Sequence, residues 1–147
     1  DAPWPHIFDP FRNAVAGKKV AVIGHFPFAP KALNQAADFY MLERSLNEGD
    51  YPDSAAEYIL PECDYVFITG SAFVNKTAPR LLELSRESFN VVLGPSTPLA
   101  PVLLENYGVS QVTGMVPTSP LAMFEGLSGT DAGTTMFEWG HRVELSA

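Results

Sequence analysis

Three stretches of the chain share one shape. Lys19-Val20-Ala21-Val22-Ile23-Gly24, Asp64-Tyr65-Val66-Phe67-Ile68-Thr69-Gly70 and Asn90-Val91-Val92-Leu93-Gly94 each carry a run of apolar residues closed by glycine. A half-exposed strand would alternate apolar with polar, so unbroken runs of this length predict strands buried on both faces. Phe39 to Glu43 reads as a further strand with a polar end, and Val109 to Thr113 as another, ended by Gly114. Val143-Glu144-Leu145 reads as a last strand. Between the strands lie helical patterns. One spans Lys31 to Ala37. One begins at Ser54, where Ser54-Ala55-Ala56-Glu57 matches a capping box, and is limited by Pro61. One begins near Ala78, with Thr77 as N-cap and Leu81, Leu82 and Leu84 on its buried side. One runs from Leu99 to Tyr107, with Pro98 in its first turn and Gly108 as its stop. The tail from Ser119 to Trp139 mixes short helix and loop.

Strands alternating with helices call for an α/β fold: a three-layer, Rossmann-like domain with a mainly parallel sheet of about five to six strands. In such a sheet the ligand sits beyond the carboxyl ends of the strands, at the topological switch point. Residues 19–147 form this domain. Residues 1–18, with Pro3, Pro5, Pro10, Trp4, Phe8 and Phe11, read as a lead-in or linker segment.

Composition narrows the function. The chain has 147 residues and a formal net charge of -8. An acidic surface repels phosphate backbones, so nucleic acid is not expected as a partner. With Cys63 alone no intrachain disulfide forms, and a reducing, cytoplasmic location is expected. No apolar run approaches a membrane span, and the start is not a signal peptide. The start also lacks methionine, which reads as a piece of something longer.

The loops after the strands carry the candidate chemistry. Gly24-His25-Phe26-Pro27 has one glycine where a dinucleotide fingerprint needs three, and Phe26 and Pro27 obstruct a pyrophosphate. Glu43 stands 19 residues after Gly24, near the usual ribose acid, but any α/β unit of this size ends its second strand thereabouts. The loop Thr69-Gly70-Ser71 through Asn75 and Thr77 offers hydroxyls and backbone N–H groups for an anion, although Asn75 and Thr77 equally suit helix capping. Gly94-Pro95-Ser96-Thr97 offers hydroxyls with the same ambiguity. Thr69, Gly70, Ser71, Gly94, Ser96 and Thr97 are expected around one concavity, and a side chain at Gly70 is expected to harm binding more than stability. His25 is the histidine placed for a metal-ligand or acid–base role; His6, His141 and Cys63 are scattered, and Cys63 reads as a structural thiol.

Taken together, Val20 to Pro27, Glu43, Gly49 to Pro52, Ile68 to Thr77 and Leu93 to Leu99 resemble a prokaryotic family described as putative heavy-metal chelation, from about Asn13 to the region of Gly126. The resemblance implies a Rossmann-like fold and a ligand or metal site built from these loops. It also implies an upstream domain similar to the enolase amino-terminal domain, packed against the site.

The leading expectation is a binding domain for a small anionic metabolite or a metal chelate, with a divalent or heavy metal ion as cofactor, connected with metal or metallocofactor handling. The alternative is an enzyme using a nucleotide-like cofactor such as S-adenosylmethionine, with Glu43 on the ribose. The aromatics Trp4, Phe8, Phe11, Phe26 and Phe28 suggest a surface covered by an N-terminal domain or partner chain, and a homo-oligomer is expected. The competing reading has residues 1–12 fold back and bury those rings.

Overall fold

The computed structural model describes residues 6–129 and 138–147. Trp4 and much of the tail between Gly126 and Trp139 lie outside them. The strands are β1 (Lys19–Ile23), β2 (Asp38–Glu43), β3 (Tyr51–Pro52), β4 (Tyr65–Thr69), β5 (Phe89–Leu93), β6 (Gln111–Pro117) and β7 (Gly140–Ser146). They form one sheet in the order β3-β2-β1-β4-β5-β6-β7. All neighbours are parallel except β6 and β7. The fold class is the expected α/β one, but the sheet has seven strands rather than five or six. The addition is β3, a two-residue strand too short to leave a sequence pattern. The β6 strand also runs three residues past Gly114, where the absence of a side chain leaves room for Thr97 O and Leu99 to cross.

The helices are α1 (Ala29–Ala32), α2 (Ala56–Ile59), α3 (Ser71–Val74), α4 (Ala78–Leu84), α5 (Val102–Asn106) and α6 (Pro120–Leu127). Several begin elsewhere than their sequence signals suggested. Helix α1 starts at Ala29, and the predicted 31–37 helix ends early. The Ser54 capping box does not form: Ser54 lies inside a 3-10 turn, and Glu57 turns away to pair with Arg80. Pro98 stays in a loop, and α5 begins only after Pro101. Thr77 does precede α4, but its hydroxyl caps nothing and is bonded to Asn75 instead. Four residues read as loop, Ser71 to Val74, form α3.

Handedness explains the layers. The chain moves from β1 to β2 in one direction across the sheet, then from β4 to β5 to β6 in the other. Right-handed crossovers in opposite directions must lie on opposite faces. Accordingly α1 packs with Val20, Val22, Met41, Phe67, Val91 and Leu93 on one face, while α2, α4 and α5 pack with Ala21, Ile23, Leu42, Val66, Ile68 and Val92 on the other. The short α1 covers little of the first face. The lead-in completes the layer: Ile7, Phe8, Phe11 and Val15 are buried there. Phe8 and Phe11 meet Phe67 edge-on at 5.2 and 5.0 Å between ring centroids. Phe26 and Phe28, half-buried, also lean on Phe8, at 5.5 and 5.8 Å. Phe8 and Phe11 are consumed inside the domain and carry no argument for a partner, whereas Phe26 and Phe28 keep part of their surface open.

The order of strands places the switch point between β1 and β4. Leu42 O accepts from Gly24 N–H at 3.1 Å, so the ends of β1 and β2 are fixed side by side.

Candidate functional site

A cleft of about 550 Å³ opens at the carboxyl ends of β1, β2 and β4, roofed by α2 and α4. Its size suits a small metabolite. Of the residues singled out from sequence, Gly24, His25, Glu43, Thr69, Ser71, Asn75 and Thr77 line it. Gly24 has φ +114°, and a Cβ there would lie 2.7 Å from Thr69 Cβ, so glycine is needed both for the turn and for the closeness of β1 to β4.

The loop after β5 is near but does not line the cleft. It lies on the same edge of the sheet, and Ser96 Oγ comes 3.5 Å from Ser71 Oγ. Gly94, Pro95, Ser96 and Thr97 are nonetheless absent from the lining, so the single concavity expected of both loops is not what forms. The reason is Gly70, whose α-carbon is pressed against the backbone of Ser96 and Thr97; a Cβ would fall 2.4 Å from Thr97 N. Gly70 is a packing contact between loops rather than a place kept open for a ligand. Thr97 is buried behind it, its hydroxyl without a hydrogen-bond partner.

Several charged residues of the cleft escaped the sequence reading: Arg44, Asp53, Glu57, Lys76 and Arg80. Most neutralise one another. Arg44 Nε donates to Asp53 Oδ2 at 3.2 Å. Arg80 Nε donates to Glu57 Oε1 at 2.8 Å, and a second guanidinium nitrogen reaches Glu83 Oε2 at 2.7 Å. The hydrogen bonds from Arg80 hold the Glu57 carboxyl below its usual range, while the two acids raise the guanidinium. The sequence left no signal for this pair, because the Ser54–Glu57 spacing pointed to capping rather than to a crossing to α4.

Two opposite charges remain. Lys76 forms no ion pair among the described residues and has φ +66°, unusual for a side chain of this kind. Its turn is held by Asn75 Oδ1, which accepts from Thr77 N–H at 3.1 Å and Thr77 O–H at 2.6 Å. Asn75 and Thr77 thus hold this turn together rather than capping α4. Glu43 ends β2. Its Oε2 accepts from Arg44 N–H at 3.2 Å, and its Oε1 is buried with no hydrogen-bond partner.

The chain matches, over residues 6–143, the family DUF364, described as "Putative heavy-metal chelation". The chain belongs to this family. A DUF364 protein of unknown function from Desulfitobacterium hafniense is 43% identical, with a TM-score of 0.86 over 95% of this chain and 57% of that one. A second family structure, from Pyrococcus horikoshii, is 23% identical, with a TM-score of 0.81 over 89% of this chain and 55% of the other. An uncharacterized protein of Methanocaldococcus jannaschii is 29% identical over 101 residues, or 65% of this chain and 39% of that protein. The chain therefore spans 39% to 57% of the length of these relatives.

The family's description prompts a direct test of the donors. Among the described residues no three His, Cys, Asp or Glu side chains converge as metal ligands. His25 is exposed in the cleft lining without such a set around it. His6 is 2.6 Å from Asp9, and His141 sits on β7 opposite Val116. Cys63 lies before β4, at the other end of the sheet, donating to Ile59 O at 3.3 Å; burial pushes its thiol up to about 11, so it is held protonated. These residues do not fit a bare metal ion. Among the described residues no helix is long and apolar enough to cross a membrane.

Proposed function

We propose that this domain binds a small polar organic molecule in the switch-point cleft, and that any metal reaches it within a chelate formed by that molecule. The observation that carries the reading is the cleft's charge pattern. Neighbours neutralise Arg44, Asp53, Glu57 and Arg80, leaving the Glu43 carboxylate and the Lys76 ammonium without a counter-charge. The enclosed, unpartnered oxygen of Glu43 is costly unless a ligand compensates it, whereas the exposed Lys76 ammonium is solvated and open to an anion. A ligand with donor groups at one end and an anionic group at the other would do so. The family's description is met if the organic molecule supplies most of the metal's donors, for which the described side chains of this chain offer no converging set.

Native mass spectrometry of the full-length protein, purified without chelators, tests this. We expect a small-molecule adduct, with or without metal, that is lost in Ser54→Trp. Ser54 is exposed on the cleft lining, so the indole fills the space without disturbing the core. An adduct retained by Ser54→Trp, or a bare metal bound with no organic partner, overturns the reading.

A further inference from the structure

We infer that the cleft is built for a ribonucleoside with one short anionic tail, with Glu43 taking the two ribose hydroxyls and Lys76 the anion; this deepens the proposed function and rests on it. Glu43 is placed by strand pairing: Ile23 is in register with Leu42, and the backbone bond from Gly24 to Leu42 sets the end of β1 beside Glu43. In doubly wound sheets an acid here faces the sugar of a nucleoside bound at the switch point.

The position alone would not decide the matter. The state of the carboxylate does. An ionised carboxylate accepts up to about four hydrogen bonds. Glu43 receives one, from its own neighbour's backbone, and its other oxygen is buried without a partner. The nearest cation in sequence, Arg44, has turned its guanidinium to Asp53. Glu43 thus keeps acceptor capacity that nothing in the domain uses. A vicinal diol presents two O–H donors side by side and matches the two oxygens of one carboxylate once the Glu43 side chain turns its enclosed Oε1 toward the cleft.

The β1 loop limits what else the ligand carries. A pyrophosphate in this fold lies on a glycine-rich turn at a helix N-terminus. Here the turn has Gly24 alone, followed by Phe26 and Pro27, and α1 begins only at Ala29 and lasts four residues. No dinucleotide is accommodated. The unpaired cation is instead Lys76, presented on the β4 side of the same cleft. A single phosphate or carboxylate attached to the nucleoside satisfies it.

Calorimetry with the full-length protein tests this. The probes are the four ribonucleoside 5′-monophosphates, their 2′-deoxy counterparts, the free nucleosides and S-adenosylhomocysteine. At least one ribose-bearing probe with an anionic group is expected to bind. Loss of the 2′-hydroxyl should weaken it about tenfold or more, as expected when a hydrogen bond to a charged group is lost. Glu43→Gln should abolish the difference between ribose and deoxyribose forms while leaving the fold intact by circular dichroism. Lys76→Met should weaken the anionic ligand and leave its free nucleoside unchanged. Equal binding of ribose and deoxyribose forms, as an ammonium-reading Glu43 would give, overturns the inference. So does failure of every probe to bind at millimolar concentration. If those probes fail while a native adduct is still lost in Ser54→Trp, the ribose reading falls and the cleft reading stands; if Ser54→Trp retains its adduct, both fall.

Discussion

Replacing Gly70 by alanine isolates a steric effect from a conformational one. Gly70 has φ -55° and ψ -25°, ordinary right-handed values that alanine adopts freely. On backbone grounds Gly70→Ala should stabilise by about 0.4–1 kcal/mol, by restricting the unfolded chain. The added methyl, however, would stand 2.4 Å from Thr97 N and 2.7 Å from both Ser96 C and Thr97 Cα. Ordinary contact needs roughly 3.5–4 Å, so the loop after β5 must retreat by about 1 Å. That loop is not free to do so: Gly70 N–H donates to Leu93 O at 2.8 Å, and Gly94 N–H to Thr113 O at 3.1 Å. Overpacking of this kind costs about 1–3 kcal/mol, which outweighs the backbone gain. At about 2–4 °C per kcal/mol for a domain of this size, the melting temperature should fall by roughly 2–8 °C. Gly17→Ala is the control. It has φ +70° with nothing within 4 Å of the added Cβ, so its cost of about 1–2 kcal/mol is purely conformational. Thermal unfolding by circular dichroism reads both. A Gly70→Ala protein that melts at or above the parent temperature would refute the packing argument and restore the view that Gly70 is kept small for a ligand.

Phe8→Ala should cost about 3–5 kcal/mol, because a fully buried ring in contact with Phe67 is lost; chemical denaturation measures it, and a cost below about 1 kcal/mol would mean the lead-in is not part of the core. Thr97→Val keeps the shape and removes a buried hydroxyl that has no partner, so stability should rise by about 1 kcal/mol with cleft binding unchanged; a loss of binding would return Thr97 to the site. Cys63 is 7% exposed and its thiol is raised to about 11 from 9.0, so the unfolded chain loses the proton first as pH rises. Stability from this group is full below pH 9 and declines toward pH 11, by roughly 2 kcal/mol, and comparing denaturation of parent and Cys63→Val across that window should show the difference shrinking.

The central strands were readable because β1, β4 and β5 are covered on both faces and so consist of unbroken apolar runs. Signals depending on one hydroxyl or one proline were weaker. Ser54 had the right spacing to Glu57, but an ion pair across to Arg80 was available and claimed the carboxylate. Pro98 suits a helix start, yet Thr97 and Leu99 pack against Gly114 instead and the helix begins only after Pro101. At the site, the glycine-ended loops were found because parallel strands end on one edge. The charged rim was not, since Arg44, Asp53 and Arg80 come from elements whose mutual approach depends on the two-residue β3 and the short α2. What separates Glu43 from a surface carboxylate, namely an oxygen without a partner, is a property of packing and leaves no trace in spacing.

The aromatic lead-in also has a consequence for the order of events during synthesis. Phe8 and Phe11 are made before the ring that receives both, Phe67, which follows about 60 residues later. At ribosomal rates of about 5–20 residues per second, that gap is roughly 3–12 seconds. Through that interval the rings have no strand β4 to lie on, and β1 waits for the same strand to gain its second neighbour. The nascent chain therefore carries an exposed aromatic segment close to the time when β4 clears the ribosome, and closure of that face should be a late, single step with high contact order. A chaperone that recognises short aromatic segments would meet this domain before β4 is made rather than after.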